Sequence, residues 1–416
     1  MGFFQAFTAR QRALTITGLA PVVLLGCALH EGIIPAGAAR AEPAPAARSA
    51  AATSAPRPFV APPSNRVAIP VPPPAPRPAA PPAVLVSNIE AMHRDFGGRV
   101  GIAIKSIDDG WTVSANGDQP MPQQSVSKMW VVMTILDQRD RGLLNLSDPV
   151  TLTRQDLTLF HQPIASLILR DGSHTTTVEN LLRRAITASD NTANDKLRML
   201  AGGSDAINEF IRRKALGSIK FGPGERLLQA GTAGLTWNQS YSIGRNFYTA
   251  RAALPMDVRQ RAFDAYVASP PDGASAHAMV DALARLKQGN LLSAASTTWL
   301  ISTMQETRTG RSRVRHAVPA GWLWGHKTGT GQDLPPRTAG FNDIGILTAP
   351  DGKSYAIAIL IGETSRPVPR RQELMHAVTR TVVANHRPDR MASSGRTQSG
   401  QMQSGQTQSG QTQSGM

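Results

Sequence analysis

The sequence alternates with strand period near both ends of its central part, and a long helical stretch separates the two. GRVGIAIKSI and GWTVSANGD read as strands joined by an Asp-Asp-Gly turn, just after a helical VLVSNIEAMHRDF. Strand signatures return late, in GWLWGHKTGTG, AGFNDIGILTAP and KSYAIAILIGE, the last two joined across an Asp-Gly turn. Between them KMWVVMTILDQRDRGLL, TTTVENLLRRAITAS, NTANDKLRMLA, SDAINEFIRRKA and SAHAMVDALARLKQG carry helical spacing, and RRQELMHAVTRTVVANH closes as a helix. Early strands can meet late ones only if the helical middle loops out. The pattern therefore predicts an α/β (α+β) fold: an antiparallel sheet built from both chain ends and flanked by helices, plus an all-helical lobe.

Composition isolates that domain as residues 84–392. Residues 42–83 are dominated by Ala and Pro, which favour extended polyproline-like conformers and bury no core, so they read as a linker. Residues 393–416 repeat a Gln-x-Gln-Ser-Gly unit and read as a disordered tail. At the start, Arg10 and Arg12 precede ALTITGLAPVVLLG, which is too short and too broken by Pro and Gly for a membrane span. Residues 1–41 read instead as a bacterial export signal. Two cleavage sites compete. Leu24-Leu25-Gly26-Cys27 resembles a lipobox, which would make Cys27 the lipidated first residue of a membrane-anchored lipoprotein; Ala39-Arg40-Ala41 offers an ordinary signal-peptidase site. Either way the expected location is periplasmic or otherwise exported.

Several chemistries are disfavoured at once. Cys27 is the single cysteine, so there is no internal disulfide and no cysteine-based metal site. The nine histidines contain no His-Glu-x-x-His or His-x-His cluster, which argues against a zinc hydrolase. The formal net charge is +15, but the basic residues are scattered, without an aromatic-interleaved basic helix or zinc-finger spacing; no nucleic-acid partner is expected.

Three short polar motifs point elsewhere. Ser125 and Lys128 stand three apart where an apolar helix begins, so both side chains fall on one face and the amine can reach the hydroxyl. It is the only Ser-x-x-Lys in the chain. Ser189-Asp190-Asn191 lies between a helix ending at Ala188 and one starting near Thr192, and Lys327-Thr328-Gly329 sits on a strand. Each alone has a plain explanation: a helix cap with a solvated lysine, an interhelical cap, an unremarkable strand lysine.

In this order and in these contexts the three motifs resemble those of the class A serine β-lactamases. ITASDNTANDKL, LLSAASTTWLISTMQETRTG, RVRHAVPAGWLWGHKTGTG and FNDIGILTAPDGKSYAIAIL extend the resemblance over residues 84–390. It implies a small-molecule β-lactam substrate, no cofactor or metal, and a monomer. It also implies roles. Ser125 attacks the carbonyl carbon, Lys128 orients and helps deprotonate it, Ser189 relays the proton to the leaving nitrogen, and Lys327 supplies positive charge beside Ser189 and the substrate carboxylate. Asn191 binds the substrate's side-chain amide; Thr328, Gly329 and Thr330 line the other wall; the backbone amides of Ser125 and Thr330 form the oxyanion hole. Arg313 falls where some members place an arginine for the substrate carboxylate, with Arg311 or Arg315 as alternatives if the register slips by two. Glu225, in FGPGERLLQ, takes the place of the glutamate that delivers water to the acyl-enzyme, with Gln229 where an asparagine is usual. Whether Lys128 or Glu225 accepts the proton during acylation stays open.

Two departures bear on turnover. Pro223 replaces the arginine that pins the loop before the glutamate, and a long segment, QAGTAGLTWNQSYSIGRNFYTARAALPMDVRQRAFDAYVASPPDG, intervenes before the next matching helix, as active-site floor or as lid. DLTLFHQPIASLILRDG is also unusual and is expected to bring Phe160 or His161 to the cleft rim. The alternatives are a penicillin-binding, peptidoglycan-related acyltransferase or hydrolase with slow deacylation, and a catalytically silent envelope-binding module.

Overall fold

The computed structural model describes residues 79–388. The export signal, Cys27, most of the 42–83 linker and the 393–416 tail lie outside the described residues. Five strands build the main sheet: β1 Arg99–Ser106, β2 Thr112–Ala115, β3 Leu323–Thr330, β4 Phe341–Thr348 and β5 Ser354–Glu363. They run in the order β2-β1-β5-β4-β3, each antiparallel to its neighbour, so the first strand of the domain pairs directly with the last. The sheet is the one predicted from strands at both ends.

Burial of β5 explains why this arrangement is stable. Its side chains alternate between two cores. Ile357, Ile359 and Ile361 meet Leu85 and Ile89 of helix Ala83–Phe96 and Met375 and Val378 of helix Val368–Ala384. Ala356, Ala358 and Leu360 face the opposite way, into a larger core with Met279, Val280 and Leu283 of helix Ala276–Lys287. Small side chains on this second face let the helix approach the sheet closely.

The helical lobe surrounds Lys128–Asp140, in which every residue from Lys128 to Asp137 is buried. Helices Val178–Thr187, Asn191–Leu200 and Gly203–Arg213 enclose it. The lobe also carries a two-stranded ribbon, Pro149–Thr153 against Ser173–Thr177. Its second strand takes the threonines that head TTTVENLL, and Thr177 then caps the helix by accepting from the Asn180 amide. The inserted segment adds helices Asn246–Ala253 and Met256–Ala268, separated by Pro255. Each has its own apolar seat: Phe263, Tyr266 and Val267 with Leu228, Leu334 and Ala339, and Phe247 with Leu159 and Ala233.

Candidate active site

Ser125 lies on a tight 3-10 turn, Gln124–Ser127, that runs into the buried helix. Its Oγ accepts a 2.9 Å hydrogen bond from Lys128 Nζ, as the three-residue spacing requires. Gln124 adopts a left-handed backbone with φ of 54°, a costly conformation for a residue with a side chain. The structure holds it there from several sides. Asp272 Oδ2 accepts from the Gln124 amide at 2.7 Å, the Gln124 side chain donates to the Tyr266 hydroxyl, and Gln229 donates to Gln124 Oε1 at 2.8 Å. Gln123 is tied down as well, donating to the Asp272 carbonyl at 2.6 Å and accepting from the Trp130 indole. Burial pushes the Asp272 carboxyl up to about 6, against the lowering effect of the hydrogen bonds it accepts.

Ser189 closes the opposite wall, also with a left-handed backbone at φ of 55°. Lys327 Nζ donates to Ser189 Oγ at 2.9 Å and to the Thr328 carbonyl at 2.8 Å. Burial, and then the nearby charges of Lys128 and Arg313, hold the Lys327 amine well below the ordinary lysine value. Asp190 caps the following helix, accepting from the Ala193 and Ile164 amides. Asn191 donates to the Leu159 carbonyl and to Glu225 Oε1, both at 2.9 Å. Its Oδ1 has no partner, which leaves a free acceptor in the cleft wall.

Glu225 is the first residue of helix Glu225–Thr232 and is buried. Its Oε2 lies 3.6 Å from Lys128 Nζ, and its Oε1 also accepts from Gln229 at 3.1 Å. Burial raises its pKa, with the Lys128 charge opposing. Asp195 Oδ1 takes the Glu225 amide at 3.0 Å, and Arg198 lies 3.7 Å from the same oxygen. A Cβ on Gly224 would come within 2.6 Å of Arg198 Nε, so this arginine lies directly against the loop that lacks one at 223. An arginine from the neighbouring helix thus packs against the loop that Pro223 enters.

The β3 wall depends on a glycine. A Cβ on Gly329 would stand 2.3 Å from the Gln123 carbonyl, so only glycine lets the strand lie against the Ser125 turn. Arg313 is buried behind it, donating to the carbonyls of Gly329 at 2.9 Å and Asn342 at 2.6 Å and to the Thr330 hydroxyl, with its guanidinium over the Phe341 ring. Burial lowers its pKa to about 10. Arg311 is exposed, and Arg315 turns to the Gln305 and Trp324 carbonyls, so of the three arginines it is Arg313 that reaches the site. Thr328 and Thr309 share a 2.7 Å hydroxyl contact.

The residues assigned site roles from the sequence converge here, the alternative arginines Arg311 and Arg315 excepted. Ser125, Ser189, Asn191, Glu225, Thr328 and Thr330 line one cavity of about 670 Å³, with Arg313 in its wall. Lys128 and Lys327 are fully buried beside it, each bonded to a serine that lines it. Phe160 and His161 both line the mouth. Sequence reading missed Gln123, Gln124, Asp195, Arg198, Tyr266 and Asp272. The paired glutamines directly before Ser125 were the one local signal.

The model of the β-lactamase enzyme family matches residues 84–386, nearly the whole described domain. The chain belongs to the class A β-lactamase family. Among class A relatives, β-lactamase VEB-1 of Pseudomonas aeruginosa is 26% identical over 280 residues, covering 67% of this chain and 83% of that one. The extended-spectrum β-lactamase PER-1 of the same species is 27% identical over 299 residues, covering 72% and 86%. The crystal structure of a β-lactamase from Chitinophaga pinensis superposes with a TM-score of 0.59 at 26% identity, covering 72% of this chain and 97% of that one. Within this class A scaffold the inserted segment takes the first of its two expected forms, active-site floor rather than lid. Tyr266 and Asp272 brace the turn below Ser125, while Tyr248, Arg251 and Arg259 extend the cleft wall.

Proposed function

We propose that this protein is a serine β-lactamase that hydrolyses the lactam amide through an acyl-enzyme on Ser125. The observation that carries this reading is the placement of Lys128 Nζ, 2.9 Å from Ser125 Oγ and 3.6 Å from Glu225 Oε2. One amine thereby joins the nucleophile to the carboxylate that would serve the second half of the reaction. In the first half, Ser125 Oγ bonds to the lactam carbonyl carbon, and its proton leaves through the Lys128–Glu225 pair. The backbone amides of Ser125 and Thr330 receive the oxyanion. The carbon–nitrogen bond then breaks and the nitrogen takes a proton by way of Ser189, whose hydroxyl is bonded to Lys327. Arg313, Thr328 and Lys327 provide the charge and hydroxyls for the substrate carboxylate, and Asn191 Oδ1 accepts from the side-chain amide. In the second half Glu225 takes a proton from water, which attacks the ester, releases the ring-opened acid and restores Ser125.

Export through the signal in residues 1–41 would bring the enzyme to its substrate outside the cytoplasm, with Cys27 as the candidate lipid anchor. No described helix is long and apolar enough to cross a membrane. Labelling cells with a lipid precursor tests the anchor.

The decisive experiment mixes the purified protein with a penicillin and follows intact mass and substrate absorbance together. Rapid loss of absorbance with a fleeting adduct is the expected result. A lasting adduct would point to a slowly deacylating penicillin-binding acyltransferase, and no adduct to a silent module.

A further inference from the structure

The cleft does not end at Gln229. Gln229 bonds to Glu225 on one side and accepts from Gln332 on the other, and the Asp333 carbonyl, next along, accepts from Arg251 at 2.6 Å. Arg251 comes from helix Asn246–Ala253 and Arg259 from helix Met256–Ala268, and both line the same cavity as Ser125. Neither guanidinium has an ion-pair partner among the described residues. The acids of these inserted helices are committed elsewhere: Asp257 to Arg261 at 2.7 Å, and Asp264 to Arg337 at 2.6 Å. One carboxylate, that of Asp333, shares this part of the wall, and it accepts from Thr338.

Two cations therefore face one engaged carboxylate. Burial, and then the charge of Arg259, push the Arg251 guanidinium below its ordinary value, as expected where like charges are held together away from water. Both Nε atoms are buried without a hydrogen-bond partner, as are those of several arginines elsewhere, and what sets this pair apart is that both line the cavity. Beside them the rings of Phe160 and Tyr248, 6.0 Å apart, are both partly exposed and line the cavity.

We propose that Arg251 and Arg259 form a second anion subsite, which takes a carboxylate carried on the acylamino side chain of the β-lactam while Phe160 and Tyr248 cover an aryl group. The inference rests on the β-lactamase reading, because that reading orients the substrate. With the lactam's own carboxylate at Lys327, Thr328 and Arg313 and its side-chain amide on Asn191, the side chain runs past Gln229 and Gln332 toward these arginines. Cations in a cleft with low-dielectric walls attract and hold an anion far better than the same charges on an open surface. The inserted segment thus sets substrate choice, favouring dianionic penicillins over monoanionic ones.

The test compares benzylpenicillin with its derivative bearing an α-carboxylate on the phenylacetyl side chain. The readout is the ratio of their kcat/KM values. Loss of charge-assisted hydrogen bonds in Arg251→Gln/Arg259→Gln should lower the dianion-to-monoanion ratio by roughly tenfold or more. Arg259→Gln alone should lower it part-way. In the unmodified protein, which needs no substitution to fold, raising the salt concentration should lower the same ratio through screening. A ratio that stays within about twofold across variants and salt overturns the subsite. If neither penicillin is hydrolysed, calorimetric binding of the two compounds to Ser125→Ala decides separately. Tighter, salt-sensitive binding of the dianion would keep the subsite and discard the catalytic reading, whereas equal or absent binding would discard the subsite.

Discussion

Lys128 and Glu225 form an ion pair sealed inside the protein, with 3.6 Å between Nζ and Oε2 and both side chains almost fully buried. The same amine donates to Ser125 Oγ, so a proton leaving the serine has a short path to the glutamate. Removing the carboxylate should separate the two halves of the reaction. Glu225→Ala retains Ser125 and Lys128, so the ester should still form, more slowly without the carboxylate at the end of that path, while its hydrolysis should slow further, by about 10³-fold, in the range for loss of a positioned general base. Mass spectrometry should then find the full population acylated after one addition of penicillin. A variant that turns over at the normal rate would remove Glu225 from the mechanism.

The environment of Glu225 also fixes the direction of a pH effect. Burial raises its pKa above the ordinary glutamate value, and the Lys128 charge offsets only part of that rise. A general base works ionised, so deacylation should fail as pH drops through the raised pKa. The acid limb of the kcat profile is expected above the range of a solvated carboxylate. An acid limb at or below the ordinary value would mean that another group limits turnover.

Asp272 makes a separate, thermodynamic prediction. Its carboxyl rises from 3.8 to about 6 in the folded protein, because it is buried behind Gln124. Between those values the native state holds a proton that the unfolded chain has released. The contribution is fully present below pH 3.8 and is lost as pH rises through 6. A shift of about two pKa units corresponds to about 3 kcal/mol. Asp272→Asn should therefore flatten the dependence of denaturant midpoint on pH across this window. Tyr266→Phe removes the hydroxyl that links Gln124 and Asp272. It should cost about 1–3 kcal/mol for the polar groups left unsatisfied, and it should slow acylation by letting the Ser125 turn relax.

The contrast between the motifs and this brace explains what the sequence could and could not reveal. Ser125-x-x-Lys128 is legible because helical geometry alone brings the two groups together. Glu225 is legible only by position in a family pattern, since a glutamate among Gly and Pro is ordinarily solvated, whereas here Asp195, Asn191 and Gln229 hold it inside. Asp272 meets Gln124 across 148 residues, and no local pattern encodes so distant a pairing. The ribbon at Ser173–Thr177 was hidden for a different reason: its threonines lead straight into a helix that Thr177 caps, so strand and cap share the same letters. That the sheet draws strands from both ends of the segment, by contrast, followed from the two clusters of alternation, because early and late strands must pair to bury their apolar faces; the order of the strands within it did not.

Arg198 offers a test of how the loop before Glu225 is held without an arginine at 223. It lies against Gly224 and 3.7 Å from the Asp195 oxygen that holds the Glu225 amide. The pair is largely shielded from solvent on the Asp195 side, so its loss should be felt more than that of a surface pair. Arg198→Ala should leave the rate of ester formation nearly intact, because Ser125, Lys128 and β3 are untouched. Deacylation should fall by about tenfold, the effect of a small misplacement of the water-activating carboxylate. Gly224→Ala should do more harm, since its φ of 94° disfavours any side chain and the added Cβ would stand 2.6 Å from Arg198 Nε. Single-turnover kinetics separate the two steps. If both variants lose acylation and deacylation in proportion, the loop supports the whole site and not Glu225 in particular.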